Sequence, residues 1–182
     1  MSHTRYLVTV LATLSAFTSS GSLAKVVDSS AAGFTIENTV IVPADADTAW
    51  IALVNHVDEW WPKDHSWFGK AGKFSIDARA SGCFCEVVDK QQQAMHMTVS
   101  MVVAGVKLRM LGGLGPLQGM GVSGALDWKF DPAEGGTRIT LRYVAGGYTS
   151  IDLVKFAKVV DEVQGVQLGG LAAYLEKHRA PK

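Results

Sequence analysis

The chain has 182 residues, 17 of them basic and 17 acidic, for a formal net charge of zero. Nucleic acid and anionic membranes both want a basic surface, so neither is indicated as a partner. The length suits one domain that buries about 70% of its unfolded surface, enough to fold without a metal or a disulfide.

The first residues read as a signal peptide. Residues 1–5 carry one arginine, residues 6–17 are mostly apolar, and Ser22 and Ala24 supply the small side chains of a cleavage site. Cleavage is expected after Ala24, so that residues 1–24 are the signal and the mature protein is exported, periplasmic or extracellular. An apolar run of twelve residues falls short of the ~20 that span a bilayer, so no stable membrane insertion is expected.

Residues 25–33 are small and polar and are expected to be a flexible leader. A single domain follows over 34–178. Phe34, Ile36, Val40 and Val42 alternate with Thr35, Glu37 and Thr39, the pattern of a strand. Pro43 ends it, Asp45 or Asp47 caps the next helix, and Trp50, Leu53 and Val54 form that helix's apolar stripe. A second short helical turn over 57–61 stops at Pro62. From Ser66 the period becomes two. The clearest strand has Met95, Met97, Val99, Met101 and Val103 on one face and His96, Thr98 and Ser100 on the other. Phe74 and Ile76, then Leu108 and Met110, then Leu126, Trp128 and Phe130, then Ile139, Leu141 and Tyr143 give further alternating strands. One apolar face per strand describes an antiparallel sheet covered on one side and wet on the other.

Over 151–178 the period is helical. Leu153, Phe156, Val159, Val160, Val163, Val166, Leu171, Tyr174 and Leu175 recur at three- and four-residue spacings in one stripe, with Asp161, Gln164 and Gln167 assigned to the other faces. Such a helix is roughly 40 Å long, and a curved sheet wrapped around it is the economical fold.

Val42, Pro43 and Ala44, then Trp50, then Trp60, Trp61 and Pro62 resemble the opening of the helix-grip superfamily called SRPBCC or START-like. The likeness continues through Gly82 to Glu86, Leu114 to Leu117, Gly121 to Gly124, Gly135 to Leu141 and Leu171 to Glu176, with Ser81 where many members have glycine. It is nearest the subgroup named for the activator of Hsp90 ATPase homologue, which includes proteins labelled polyketide cyclase. The resemblance implies an α+β fold: a curved seven-stranded antiparallel sheet around a long C-terminal helix, two short helices after the first strand, and a cavity between. The signal peptide sets the chain apart from a cytosolic co-chaperone.

The residues expected to line the cavity are Asn38, Trp61, Trp67, Phe74, Met95, Met97, Met101, Leu108, Met110, Trp128, Tyr143, Phe156, Val160 and Val163. Methionine suits varied apolar shapes, Gly165, Gly169 and Gly170 leave space beside the helix, and Asn38 and Tyr143 are placed to orient a ligand oxygen. Glu86 and Arg109 point outward by alternation. Cys83 and Cys85, two apart on a strand, project in parallel near the limit of disulfide reach, so two buried thiols are expected. No metal or cofactor is indicated.

The function these features favour is an exported binding protein for a small hydrophobic molecule, lipid-like or aromatic. No clear catalytic constellation appears. The alternative is a cyclase- or dehydratase-type enzyme in which His56, Asp58, Asp64 or His65 moves protons in the same cavity; it requires His56, Asp64 or His65 to face that cavity. An interaction module using the outer sheet face ranks last.

Overall fold

The computed structural model describes residues 23–179. The signal peptide expected over 1–24 therefore lies outside the described residues except at Leu23 and Ala24, whose backbone opens the first strand.

The elements in order are β1 (Leu23–Ser30), β2 (Gly33–Val42), α1 (Ala46–Asn55), α2 (Val57–Trp60), β3 (Lys73–Ile76), β4 (Cys83–Val87), β5 (Gln93–Val103), β6 (Lys107–Gly112), β7 (Val122–Ala133), β8 (Gly136–Gly147) and α3 (Leu153–Lys177). The strands form one sheet in the order β1-β2-β8-β7-β6-β5-β4-β3, antiparallel at every pairing. α3 lies across β1, β2 and β8, while α1 and α2 close one end. This is the expected α+β helix-grip architecture with eight strands in place of seven. The extra strand is β1, so the segment expected as a flexible leader is instead hydrogen-bonded to β2 along the sheet edge.

Local chemistry explains the element ends. Asp45 Oδ1 accepts from the Thr48 amide at 2.7 Å and caps α1; Asp152 accepts from the Val154 and Lys155 amides and caps α3. At the far end of α3 the His178 Nδ1–H donates to the Tyr174 carbonyl at 2.8 Å.

Two bulges in β5 overturn its simple alternation. Phe84 pairs with Met97 but Cys85 with Met95, leaving His96 as the extra residue; Val99 pairs with Met110 but Met101 with Arg109, leaving Ser100 extra. Each extra residue swaps the faces beyond it. Met97 and Val99 stay in the core, whereas Met95 and Met101, expected inside, lie outside at 57% and 43% exposure. His96, expected outside, is buried. Ser81, in the turn before β4, has φ +66°, the left-handed region that favours glycine.

Cys83 and Cys85 form a disulfide, contrary to the thiols expected. Their Cα atoms are 5.5 Å apart, whereas two residues on a regular strand span about 6.6 Å, so β4 is contracted at the register shift and the sulfurs come within reach. Glu86 shares the buried face of β4 with Phe84, also contrary to expectation, because the cysteines and Val87 take the other face. Arg109 does point outward, where it grips Asp127 through two hydrogen bonds of 2.7 and 2.8 Å.

The helix glycines divide. A Cβ on Gly170 would meet the Trp60 carbonyl oxygen at 2.5 Å, so α2 fills the notch that seemed to belong to a cavity; a Cβ on Gly169 would meet nothing within 4 Å. Gly169→Ala is expected to stabilise the fold by up to about 1 kcal/mol through helix propensity. Gly170→Ala is expected to cost about 1–3 kcal/mol, because backbone must move. Urea midpoints of the two variants check both signs.

Candidate functional site

Between α2 and β3 the chain makes two tight turns, Lys63–His65 and Gly69–Ala71, that form a cap over one side of α3. Local bonds stiffen it. Trp61 Nε1 donates to the His65 carbonyl at 3.2 Å, and Lys63 Nζ bridges Asp58 and the Gly72 carbonyl. Its main anchor comes from beneath. The Glu86 carboxylate, fully buried, accepts from Ser66 Oγ, from the Trp67 and Phe68 amides at 3.1 Å each, and from His96 Nε2 at 3.1 Å. A Cβ on Gly72 would lie 1.9 Å from Glu86 Oε1, so the carboxylate fills the place that a side chain there would need.

This arrangement sets the ionisation of the pair. Burial pushes the Glu86 carboxyl up, but its donors, Ser66 first, then the two amides and His96, outweigh burial and hold it below the ordinary carboxylate value. Burial pushes His96 down, and Glu86 only partly offsets that. At neutral pH His96 is therefore neutral, with its proton on Nε2 toward Glu86. Nδ1 then carries a lone pair and no hydrogen, and it has no partner among the described residues.

The opposite wall comes from the loop after β6. The Tyr143 hydroxyl, its pKa pushed to about 12 by burial, donates to the Gly112 carbonyl at 2.7 Å and accepts from the Leu114 amide at 3.3 Å. Gln118 Nε2 donates to the Met95 and His96 carbonyls at 2.8 and 2.9 Å, tying the loop to the bulge in β5. Tyr143 thus shapes the site from outside it.

Cap, loop and α3 border an open-sided cavity of about 260 Å³. Trp61, Asp64, His65, Ser66 and Trp67 border it from the cap, Leu114 to Leu117 from the loop, and His96 from β5. α3 contributes Phe156, Val159, Val160, Val163, Gln164 and Gln167. The lining is mainly apolar, yet His65 Nδ1, His96 Nδ1, Gln164 Oε1 and Gln167 Oε1 are buried with no hydrogen-bond partner among the described residues. His96, Gln164 and Gln167 are each at most 3% exposed. An unmet buried polar atom costs about 1–3 kcal/mol, so these are the lining groups with most to gain from a partner.

Of the residues expected at the cavity, Trp61, Trp67, Phe156, Val160 and Val163 border it. Phe74, Met97, Leu108, Met110, Trp128, Tyr143 and Asn38 sit instead in the closed core between sheet and helix. Asn38 is used there: its Nδ2 donates to Asp161 Oδ1 at 2.9 Å, and burial raises the Asp161 carboxyl. Met95 and Met101 lie on the outer face. The cavity thus lies along α3 under the cap, and the sheet contributes His96 alone to its lining. Among the acid–base candidates, Asp64 and His65 border it; His56 pairs with Glu59 on the surface and Asp58 binds Lys63, Lys73 and the Phe74 amide. No group of described residues could hold a metal, and no described helix is long and apolar enough to cross a membrane.

A pH prediction follows from the buried pair. His96 is lowered from 6.5, so the stability tied to its neutral form is complete above that value and is lost as pH falls from 6.5 toward the lower folded value. Glu86, lowered from 4.5, adds a second loss below 4.5, which Asp58 and Asp127 share. The urea midpoint is expected to begin falling below pH 6.5 in the wild type, and that upper step is expected to vanish in His96→Phe.

Comparison with known proteins agrees with this fold. A protein of Rhizobium leguminosarum superimposes with a TM-score of 0.59 at 16% identity over 79% of this chain and 95% of that one. Protein MLL2253 from Mesorhizobium loti gives 0.57 at 14% identity over 80% and 99%. CalU16 from Micromonospora echinospora gives 0.55 at 15% identity over 82% and 78%. Neither a protein-family model nor a curated protein matches the chain. At these identities the likeness is one of fold.

Proposed function

We propose that this chain is an exported binding protein that holds a small hydrophobic molecule in the cavity beside α3, and that it belongs with the activator of Hsp90 ATPase homologue and polyketide cyclase subgroup of helix-grip proteins. The supporting observation is that four of the residues bordering a mainly apolar cavity, His65, His96, Gln164 and Gln167, each carry a buried polar atom with no hydrogen-bond partner among the described residues. Apolar walls supply affinity, and a few convergent polar groups fix orientation. An apolar cavity of about 150 Å³ takes benzene. The larger volume here, about 260 Å³, suits a molecule of one or two rings or a short branched chain. Calorimetric titration with naphthalene tests this: one saturable site per chain is expected, with a negative heat-capacity change. Heats no larger than those of dilution would contradict it.

The second reading is a cyclase- or dehydratase-type enzyme. It is favoured by Asp64 and His65, which border the same cavity close together in the chain. Under this reading one of them moves a proton on a bound carbonyl compound, and Asp64→Asn or His65→Gln abolishes turnover while leaving naphthalene binding intact.

A further inference from the structure

The bound molecule's polar group can be specified further, and the inference rests on the cavity-binding reading. We propose that His96 selects ligands that carry a hydrogen-bond donor on an aromatic body, a phenol-like hydroxyl, by accepting that hydrogen at Nδ1.

Glu86 takes the Nε2 proton in a buried hydrogen bond of 3.1 Å, and its carboxylate is held in place by Ser66 and two backbone amides. With Nε2 committed as a donor, Nδ1 of the neutral ring can only accept. It has no described partner, its side chain is 3% exposed, and the residue borders the cavity. The ring is also packed between neighbours, its centroid 4.9 Å from that of Phe84 and 5.5 Å from that of Phe74, tilted 31° and 33° to them. A rigid acceptor beside an apolar void distinguishes a ligand with a donor from one without, since the second leaves the acceptor unmet. The aromatic body follows from the walls, where Trp61, Trp67 and Phe156 border the cavity and aromatic side chains pair favourably with another ring. The Gln164 and Gln167 amides can turn either end to the ligand, so they accommodate further polar groups without dictating one.

The test compares β-naphthol, its methyl ether and naphthalene by calorimetry. β-Naphthol is expected to bind about ten- to a hundredfold tighter than either of the others, the worth of one otherwise unmet buried acceptor. In His96→Phe the three are expected to bind alike. In wild-type protein the imidazole nitrogen spectrum of His96 is expected to show Nδ1 shifting toward a hydrogen-bonded acceptor on adding β-naphthol, with Nε2 still protonated; this readout needs no variant. Equal affinities, or a naphthol preference without the Nδ1 shift, would overturn the role of His96 and leave the cavity reading standing. Failure of all three to bind would overturn the cavity reading and this inference with it.

Discussion

Replacing Glu86 with alanine is expected to destabilise the fold by about 3–5 kcal/mol, the cost of leaving three donors unmet at about 1–3 kcal/mol each. The change strands His96 Nε2–H and the Trp67 and Phe68 amides at once, in a place that the cap shields from solvent. Glu86→Gln keeps the shape and one acceptor oxygen, so it is expected to cost about half as much. Urea denaturation measures both. Hydrogen exchange adds a local readout, since the Trp67 and Phe68 amides are expected to lose protection well before the core strands do. A Glu86→Ala cost under about 1 kcal/mol, with both amides still protected, would mean that the carboxylate does not hold the cap.

Filling the cavity is the second large effect. Val163 is half-buried on α3 and borders the void. Val163→Trp places an indole where the ligand would lie. Losing some 100 Å² of apolar contact at about 25 cal/mol per Å² corresponds to roughly a hundredfold loss of naphthalene affinity. The void receives most of the added volume, so stability is expected to change by less than about 2 kcal/mol. Unchanged affinity in a folded Val163→Trp protein would place naphthalene elsewhere.

The fold was readable because its patterns are long. α3 repeats apolar residues over twenty-five positions, and most strands show one apolar face. The edge strand β1 was not readable, because its described side chains are mainly exposed and its pairing to β2 is by backbone, which leaves no hydrophobic period. The faces of β5 failed for another reason: a bulge is a property of two strands together, and nothing in 93–103 alone announces the extra residues His96 and Ser100.

The site was partly legible. The cap aromatics Trp61 and Trp67 and the helix residues Phe156, Val160 and Val163 follow from composition and period. Gln164 and Gln167 read as belonging to the faces outside the apolar stripe, yet the sequence carries a signal that places Gln164 inside. Leu153, Ala157, Val160, Gln164, Leu168, Leu171 and Leu175 are all buried and are separated by steps of three or four, so Gln164 stands in the core line of α3. A polar residue at such a position asks for a partner. Glu86 and His96 could not be found this way, since their meeting depends on the contracted β4 and the bulged β5.

The most direct measurement is the indole N–H spectrum of the five tryptophans during titration with naphthalene. Trp61 and Trp67 border the cavity, whereas Trp50 and Trp60 do not and Trp128 is sealed in the core. Saturable shifts greatest at Trp67 and Trp61, with Trp50 and Trp128 nearly still, are the predicted result. Shifts centred on Trp128, or none at all, would contradict a ligand site beside α3.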